Sequence, residues 1–349
     1  MSEGVSPLLA SPRWVRLTVM TQSEAGHVTY SRGGQAESRH EIHVAVVDAN
    51  GNLKAHCGNA DLTTFPRSSS KPVQALPLAE AMPDLPQDEL AVACSSHAGT
   101  PEHLAVVQRL LARSGSSVAD LRCGTHPPFD AHTAASLIQS QQPPTPLHHN
   151  CSGKHAGMLL ACVRLGLPRE GYTHPAHPLQ VQIRALHATL ADVPLEAIHA
   201  GVDGCSVPAF ALPLQGTARI FARLAAPSGP HAQALARIAQ AMQAHPFLVA
   251  GPGRLDTTLM PLVPGLTAKM GAEAFYGMGL QETPYGPLGV AFKVMDGGER
   301  ARSPMALAVL KALGVPLTEA VWALAPSELR NWAGQEVGII HTHLPLVWS

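Results

Sequence analysis

Charged residues are scarce in this chain, and neither sign predominates. Among 349 residues, Lys and Arg number 24 and Asp and Glu number 25, so the formal net charge is -1. Surfaces that bind nucleic acids or anionic membranes normally carry a basic excess. The balance of charge therefore argues against a nucleic-acid partner and favours a small polar one. Hydrophobic residues make up 46% of the chain, enough for a sizeable core.

Long apolar runs are also missing. No stretch approaches the ~18 apolar residues that a membrane-spanning helix requires. Residues 1–14 lack the basic start and the apolar run of a secretory signal. We therefore expect no membrane partner and a cytoplasmic location.

Cysteine is too rare for a disulfide framework. The chain has six cysteines, whereas folds that depend on disulfides are short and dense in cysteine. We expect reduced thiols, some of them buried in the core and some available to bind a metal.

Strand-like patterns lie near both ends of the chain, and helical patterns lie between them. Strands are predicted at 15–20, 41–48, 53–57, 90–94, 268–270 and 288–294. Helices are predicted at 73–82, 101–113, 154–165, 178–190, 208–224, 232–243 and 303–313. We expect an α/β fold that forms one catalytic unit over 1–349. Residues 15–75 and 260–349 would build a lobe with a mixed sheet, and residues 76–259 a largely helical lobe.

The first chemical signal is the segment Arg67-Ser68-Ser69-Ser70-Lys71-Pro72. Ser68 and Lys71 are three residues apart at a helix start, so they share a face within hydrogen-bonding reach. A serine hydroxyl becomes a nucleophile when a base takes its proton. A buried lysine is such a base when burial or nearby cations leave its amine neutral. The spacing alone also fits an N-capping serine beside a solvated lysine.

A second lysine lies in the segment Lys269-Met270-Gly271, which follows a strand-like run. In penicillin-recognising serine enzymes, Ser-x-x-Lys near the front and Lys-Thr-Gly on a late strand face each other across one site. There the late lysine anchors the substrate, and the glycine lets the substrate approach the strand backbone. The order of the two fragments predicts a shared site here, although Met270 replaces threonine.

Two cysteines and a lysine form a third candidate. Cys151 and Lys154 are three residues apart in Asn150-Cys151-Ser152-Gly153-Lys154-His155, and Cys205 follows Asp203-Gly204. Thiolates bind zinc well, and a lysine joins them only after it loses its proton. Because Cys-x-x-Lys is no standard zinc motif, the residues alone favour two buried cysteines near a helix start.

Other polar segments carry weaker signals. Ser96 and His97 precede Gly99 in a predicted loop, a suitable place for a polar site. Most of the 19 histidines are scattered without ligand spacing. For Arg254-Leu255-Asp256-Thr257 we favour a structural role, as a helix cap or an ion pair.

Together these segments resemble the rhizobial-type, thermolabile L-asparaginase family, also called the asparaginase II family. The resemblance runs from about residue 28 to residue 301, and its short motifs occur in the family's order. They are Glu37-Ser38-Arg39-His40, 67–74 (beginning Arg67-Ser68), Ser96-His97, 150–155 (beginning Asn150-Cys151), Asp203-Gly204-Cys205, 254–257 and 269–273.

The resemblance implies a fold like that of the serine β-lactamases, an L-asparagine amidohydrolase and a homodimer. It implies two serine–lysine pairs. Ser68 would be the nucleophile and Lys71 the base that activates it, while Ser96 and Lys269 would relay protons. The products would be L-aspartate and ammonia.

The family also has a zinc ion beside the substrate. The resemblance implies that Cys151, Lys154 and Cys205 hold it and that it positions the substrate without acting as the chemical agent.

The zwitterionic substrate needs charged partners at both ends. Arg67 is a candidate for its α-carboxylate and Asp203 for its α-ammonium group. The remaining candidates for the substrate pocket are His97, Asn150, His155 and Gly271.

The sequence departs from the family pattern at three places. Met270 stands where a small residue is expected, and Ala274 follows Glu273 where glycine is expected. Ser95 doubles the serine before His97, so the choice between Ser95 and Ser96 rests on the Ser-His pairing.

Three other functions remain open at this point. A glutaminase, or a hydrolase of β-lactams or peptides, could use the same scaffold. A zinc-dependent ligand-binding protein would bind ligand without turnover, and a zinc hydrolase would lose turnover on chelation but not in Ser68→Ala.

Overall fold

A large sheet built from both ends of the chain organises the fold. The computed structural model describes residues 23–349, so the strand predicted at 15–20 lies outside the described residues. The strands are β1 (Gly26–Arg32), β2 (Gln35–Asp48), β3 (Leu53–Cys57), β4 (Thr63–Thr64), β5 (His199–Val202), β6 (Pro208–Pro213), β7 (Leu266–Gly271), β8 (Phe275–Leu280), β9 (Leu288–Val294), β10 (Glu328–Arg330), β11 (Glu336–His343) and β12 (Val347–Trp348).

Neighbouring strands of the large sheet follow the order β10-β11-β1-β2-β9-β8-β7, and β3 pairs with both β2 and β12. The pairings that the structure describes in this sheet are antiparallel. The predicted α/β class is confirmed, because one sheet lobe comes from both chain ends and a largely helical lobe lies between them. The sheet is antiparallel rather than mixed. β4, β6 and β5 form a separate small sheet.

Helices fill the middle of the chain. They are α1 (Lys71–Gln74), α2 (Leu76–Ala81), α3 (Gln87–Ala93), α4 (Pro101–Arg113), α5 (Ala131–Gln139), α6 (Ser152–Arg164), α7 (Pro178–Ala191), α8 (Leu214–Ala225), α9 (Ala232–Ala244), α10 (Pro246–Val249), α11 (Leu255–Leu262), α12 (Arg302–Ala312) and α13 (Glu319–Trp322). α6 packs against α2, α3 and α4 and is buried from Ser152 to Cys162. A helix buried on nearly every side belongs to the centre of a lobe, so α6 is the core of the helical lobe.

The hairpin between β2 and β3 has the turn that its sequence predicts. Asp48 Oδ1 accepts the Asn50 amide at 2.9 Å, and Gly51 takes a φ of 86°. Glycine adopts this left-handed conformation without steric cost. The strand register pairs Val44 with Cys57, as expected from the predicted hairpin.

Glycines on the sheet let α8 pack closely. Gly279 of β8 lies opposite Gly289 of β9. A Cβ atom on Gly289 would lie 2.0 Å from the Ala218 carbonyl oxygen, and one on Gly277 would lie 2.0 Å from the Phe221 ring. The helix therefore lies directly on the sheet backbone at these positions.

Two predicted elements are wrong. Residues 90–94, predicted as a strand, belong to α3, and residues 208–224, predicted as one helix, divide into β6 and α8. A short apolar run fits a buried strand and a buried helix equally well. Pro213 ends β6 and precedes α8, where its missing amide proton costs nothing.

No helix within residues 23–349 has both the length and the apolar character that crossing a bilayer demands.

Gly289→Ala is expected to destabilise the protein strongly. The new Cβ would clash with the backbone of Ala218 and Ala222, and these atoms can retreat only if α8 moves off the sheet. Overpacking typically costs about 1–3 kcal/mol, and we expect the upper end of that range or more. Urea unfolding followed by circular dichroism measures it. Gly204→Ala is the matched control, since a Cβ there meets no atom within 4 Å. Equal unfolding midpoints for the two variants would contradict this packing.

Candidate active site

The turn that carries Ser68 and Lys71 lies at the entrance to α1. It is a 3₁₀ turn at Arg67–Ser70, and the Lys71 amide donates to the Ser68 carbonyl. Arg67 has a φ of 52°, a left-handed conformation that non-glycine residues rarely adopt and that clusters at functional sites. Ser68 is half-buried, whereas Lys71 is only 1% exposed. The turn thus places a partly exposed serine three residues before a buried lysine.

The Lys71 ammonium group contacts the loop after α3. It donates to the Ser95 carbonyl at 2.5 Å and to Ser96 Oγ at 2.8 Å. The Ser96 amide in turn donates to the Val249 carbonyl at 2.9 Å. The resemblance implies pairs of Ser68 with Lys71 and of Ser96 with Lys269, but the side-chain hydrogen bond described here joins Lys71 to Ser96. Ser68 precedes the same lysine by one turn.

Gly271 allows the serine turn to contact β7. Ser69 Oγ donates to the Lys269 carbonyl at 2.7 Å. A Cβ on Gly271 would lie 2.2 Å from the Pro66 carbonyl oxygen, so a larger residue would push the turn away from the strand. The two fragments predicted to share a site are therefore in direct contact, and Gly271 acts through its backbone.

Lys269 is fully excluded from water beside a buried carboxylate. Its ammonium group donates to the Met270 carbonyl at 3.0 Å and lies 3.5 Å from Asp256 Oδ2. Burial lowers the pKa of Lys269 from 10.5 to about 8, the Asp256 carboxylate opposes this shift, and the positive charge of Lys71 adds to it. A lysine with such a pKa exchanges protons readily near neutral pH.

Arg67 and Asp203 form an ion pair at the edge of the site. The Arg67 Nη2 and Nε atoms lie 2.7 and 3.2 Å from Asp203 Oδ1. The two side chains are 30% and 13% exposed, so part of each charge faces solvent. This pair presents one positive and one negative group side by side, close to Ser68.

Cys151, Lys154 and Cys205 converge in the core. Lys154 Nζ lies 2.9 Å from Cys205 Sγ. A hydrogen bond from Cys205 lowers the pKa of Cys151 well below its usual range. Burial alone would lower the pKa of Lys154, but the cysteine pair and Asp203 outweigh burial and raise it. The site therefore favours a thiolate beside an ammonium group.

This donor set fits a zinc ion, because two thiols and an amine meet at one buried point. Within the part of the chain that the structure describes, no cluster of three or more His, Cys, Asp or Glu residues has metal-binding geometry. A zinc ion bound between the two cysteines would therefore take Lys154 as its third ligand.

His97 forms buried hydrogen bonds that fix the loop carrying Ser96. It is fully buried, its Nε2 lies 2.8 Å from Ser152 Oγ, and its Nδ1 accepts the Gly99 amide at 3.1 Å. Ser152 Oγ also donates to the Leu147 carbonyl, so Nε2 is the protonated nitrogen. With both nitrogens engaged inside the protein, His97 orders the segments around Ser96 and Cys151.

Asn150 and His155 take different positions. Asn150 is half-buried, and its amide donates to His126 Nε2 at 3.1 Å. His155 is fully buried, and its Nδ1 lies 2.7 Å from the Tyr172 hydroxyl. His155 Nε2 has no hydrogen-bond partner among the described residues.

Sequence reasoning missed two side chains that hold β7. Asp256 accepts the Met270 amide at 3.0 Å, and Ser69 binds the Lys269 carbonyl. Asp256 belongs to a motif that the sequence had singled out, but nothing in its spacing from Lys269 indicates their contact.

The α/β fold gathers serines and lysines at one edge of its large sheet, and the sequence identifies the family. The chain belongs to the L-asparaginase II family, whose pattern matches residues 28–342. This supports an amidohydrolase of the asparaginase type acting on a small molecule. No curated protein matches the chain.

Among solved structures, the chain is similar to a protein called Mglu and to a Bacillus glutaminase. For Mglu the TM-score is 0.42 at 14% identity, over 78% of this chain and 65% of that chain. The chain thus spans about two thirds of the length of Mglu. For the Bacillus glutaminase, determined in 4.3 M NaCl, the TM-score is 0.38 at 13% identity, over 78% of this chain and 90% of that chain.

Lys269 is expected to make stability rise with pH between about 8 and 10.5. In that window the unfolded chain holds the lysine proton and the folded protein does not. The unfolding free energy therefore rises by up to about 1.4 kcal/mol per pH unit. Below this window both states hold the proton, and the cost of burying the ammonium group remains.

The measurement is urea unfolding of the wild type and of Lys269→Met from pH 7.5 to 10.5. Groups common to both proteins cancel in the difference between their unfolding free energies. That difference should move in favour of the wild type as pH rises. A difference that stays constant over the whole range would contradict the lowered pKa.

Proposed function

We propose that this protein is an L-asparagine amidohydrolase that uses a serine nucleophile and lysine bases. One observation carries the proposal. The chain is a member of the L-asparaginase II family, and its buried Lys71 amine binds Ser96 Oγ. Lys71 itself follows the half-exposed Ser68 by three residues. The finer activity that we propose is hydrolysis of L-asparagine to L-aspartate and ammonia, and membership of the family supports it.

Ser68 is our candidate nucleophile because the residue is partly exposed, whereas Ser96 is buried. A neutral Lys71 amine has two N–H donors and one lone pair. With one N–H on the Ser95 carbonyl, the lone pair can accept a hydroxyl proton. Ser68 Oγ then bonds to the amide carbon of the substrate, and its proton passes to Lys71.

Collapse of the tetrahedral intermediate breaks the carbon–nitrogen bond. The leaving nitrogen needs a proton to depart as ammonia, and Ser96 can pass it from Lys71, to which it is hydrogen-bonded. Water then attacks the ester on Ser68 and releases L-aspartate. A covalent acyl-enzyme divides one difficult hydrolysis into two easier steps.

Arg67 and Asp203 are the candidates for the charged ends of the substrate. An α-amino acid carries a carboxylate and an ammonium group on one carbon, and the Arg67–Asp203 pair has the complementary charges side by side. Both side chains are partly exposed, so the substrate can engage them without opening the core.

We further propose that Cys151, Lys154 and Cys205 hold a zinc ion. The buried thiolate and the adjacent amine support this, since zinc binding requires deprotonated ligands and releases their protons. The ion would supply positive charge for substrate positioning. A homodimer and a cytoplasmic location remain expectations from the sequence.

Ser68→Ala is expected to lower ammonia release from L-asparagine by about a thousandfold or more, because the acyl-enzyme cannot form. A coupled ammonia assay with asparagine and glutamine measures it. Ser70→Ala is the matched control, since Ser70 is buried in the same turn and caps no helix with its side chain.

Mass spectrometry after brief exposure to asparagine should find the acyl group on the peptide that contains Ser68. Full activity in Ser68→Ala together with loss of activity in Ser96→Ala would overturn the assignment and make Ser96 the nucleophile. Turnover of glutamine but not of asparagine would refute the proposed substrate.

Cys205→Ala is expected to abolish zinc binding, because it removes one of only three ligands. Elemental analysis should find about one zinc per chain in the wild type, as in other single structural sites, and almost none in the variant. Cys162→Ser is the control, since Cys162 is a buried thiol on the same helix as Lys154. Equal zinc content in Cys205→Ala and wild type would refute this ligand set.

A further inference from the structure

A buried carboxylate lies behind Lys269 and belongs to neither the proposed nucleophile nor the proposed substrate pocket. Asp256 is in the first turn of α11 and is fully excluded from water. Its Oδ2 accepts the Met270 amide at 3.0 Å and lies 3.5 Å from Lys269 Nζ. Its Oδ1 has no hydrogen-bond partner within residues 23–349.

Lys269 and Asp256 bind two backbone groups of the same residue, Met270, from the outer side of the sheet. β7 is the last strand of the sheet order, so the outward N–H and C=O of Met270 have no neighbouring strand. Asp256 binds that N–H, and the Lys269 ammonium group binds that C=O at 3.0 Å. The two charged groups are thus fixed at adjacent points, and the lysine side chain has little freedom to leave.

The groups around Lys269 make Asp256 the nearest source of negative charge. Lys71 of α1, Arg254 before α11 and Cys94 after α3 lie near Lys269. Tyr276 of β8 lies near Asp256, and Arg302 of α12 lies near Tyr276. Three of these are cationic, and burial raises the pKa of both Cys94 and Tyr276. Those two groups are therefore neutral at physiological pH.

We propose that Asp256 is a positioning residue for the reaction, whose carboxylate fixes Lys269 on the Met270 peptide and supplies the charge that keeps this lysine protonated when the site is at rest. The inference rests on the proposed function, because it assigns a role within that site. A negative charge at this distance favours the charged form of the lysine.

The charge of Asp256 is separable from its hydrogen bond. An asparagine oxygen can accept the Met270 amide as well as a carboxylate does. A purely structural role at the edge of β7 therefore requires only the acceptor, whereas the proposed role requires the negative charge. Asp256→Asn distinguishes the two.

Asp256→Asn is expected to shift the limb of the pH–rate profile that belongs to Lys269 toward lower pH, by about one pH unit or more. The limb shifts in the same direction whether the reaction needs the amine or the ammonium form of Lys269. In either case the variant's lysine loses its proton at a lower pH. At pH 7, kcat should fall at least about tenfold with little change in KM. The measurement is ammonia release from asparagine between pH 5.5 and 10.

Glu89→Gln is the matched control. Glu89 is a buried carboxylate paired with Arg109 and Arg113 away from the site, so its loss should lower stability without moving the pH profile. Lys269→Met should lack the limb altogether. A limb in the same place in Asp256→Asn and wild type, with native circular dichroism, overturns the inference.

If Asp256→Asn does not fold, Asp256→Glu replaces it. That variant keeps the charge and displaces it by one methylene, so kcat should fall while the limb stays in place. Wild-type kcat in Asp256→Glu overturns the positioning role.

A wild-type protein that releases no ammonia would refute the proposed function instead. In that event the pH dependence of unfolding, with Lys269→Met as the reference, still reports on the pair. The rise in stability with pH should begin about one pH unit lower in Asp256→Asn, and an unchanged onset overturns the inference.

Discussion

Three lysines within residues 23–349 expose no more than 2% of their surface, and each requires a partner inside the core. Lys71, Lys154 and Lys269 expose 1%, 2% and 0% of their surfaces. An unpaired ammonium group in an apolar interior is so unfavourable that the group usually becomes neutral. The partners differ in charge: uncharged oxygens for Lys71, sulfur for Lys154 and a carboxylate for Lys269. Because the partners differ, we propose a different role for each lysine: a base for Lys71, a zinc ligand for Lys154 and a charge held by Asp256 for Lys269.

The fold supplies these partners from both of its lobes. The helical lobe contributes the loop of Ser96 and the first turns of α6 and α11, and the sheet contributes β7. Since β7 is an edge strand, its outward polar groups remain available for side chains. Gly271 brings the serine turn against that edge, since any Cβ there would strike the Pro66 carbonyl. The close approach of the Arg67–Ser70 turn to the backbone of β7 therefore determines which side chains lie together.

Local patterns predicted the parts of this structure that local forces determine. The β2–β3 hairpin follows from the turn at Asp48, and several helices in the middle of the chain lie close to their predicted places. Residues 90–94 failed because a short apolar run does not distinguish a strand from a helix. The contact of Lys71 with Ser96 and that of Lys269 with Asp256 depend on how distant segments pack. Spacing along the chain contains no information about such packing.

The hydrogen bond between Lys71 and Ser96 changes what the Ser-x-x-Lys spacing means. Helical spacing alone predicts a contact of Lys71 with Ser68, whereas the hydroxyl that the amine binds comes from another segment. In the proposed mechanism Lys71 takes a proton from Ser68 and returns one through Ser96, which is what cleavage of an amide requires. Lys269 then need not be the partner of Ser96. Its ammonium group has a partner of its own, the Asp256 carboxylate at 3.5 Å.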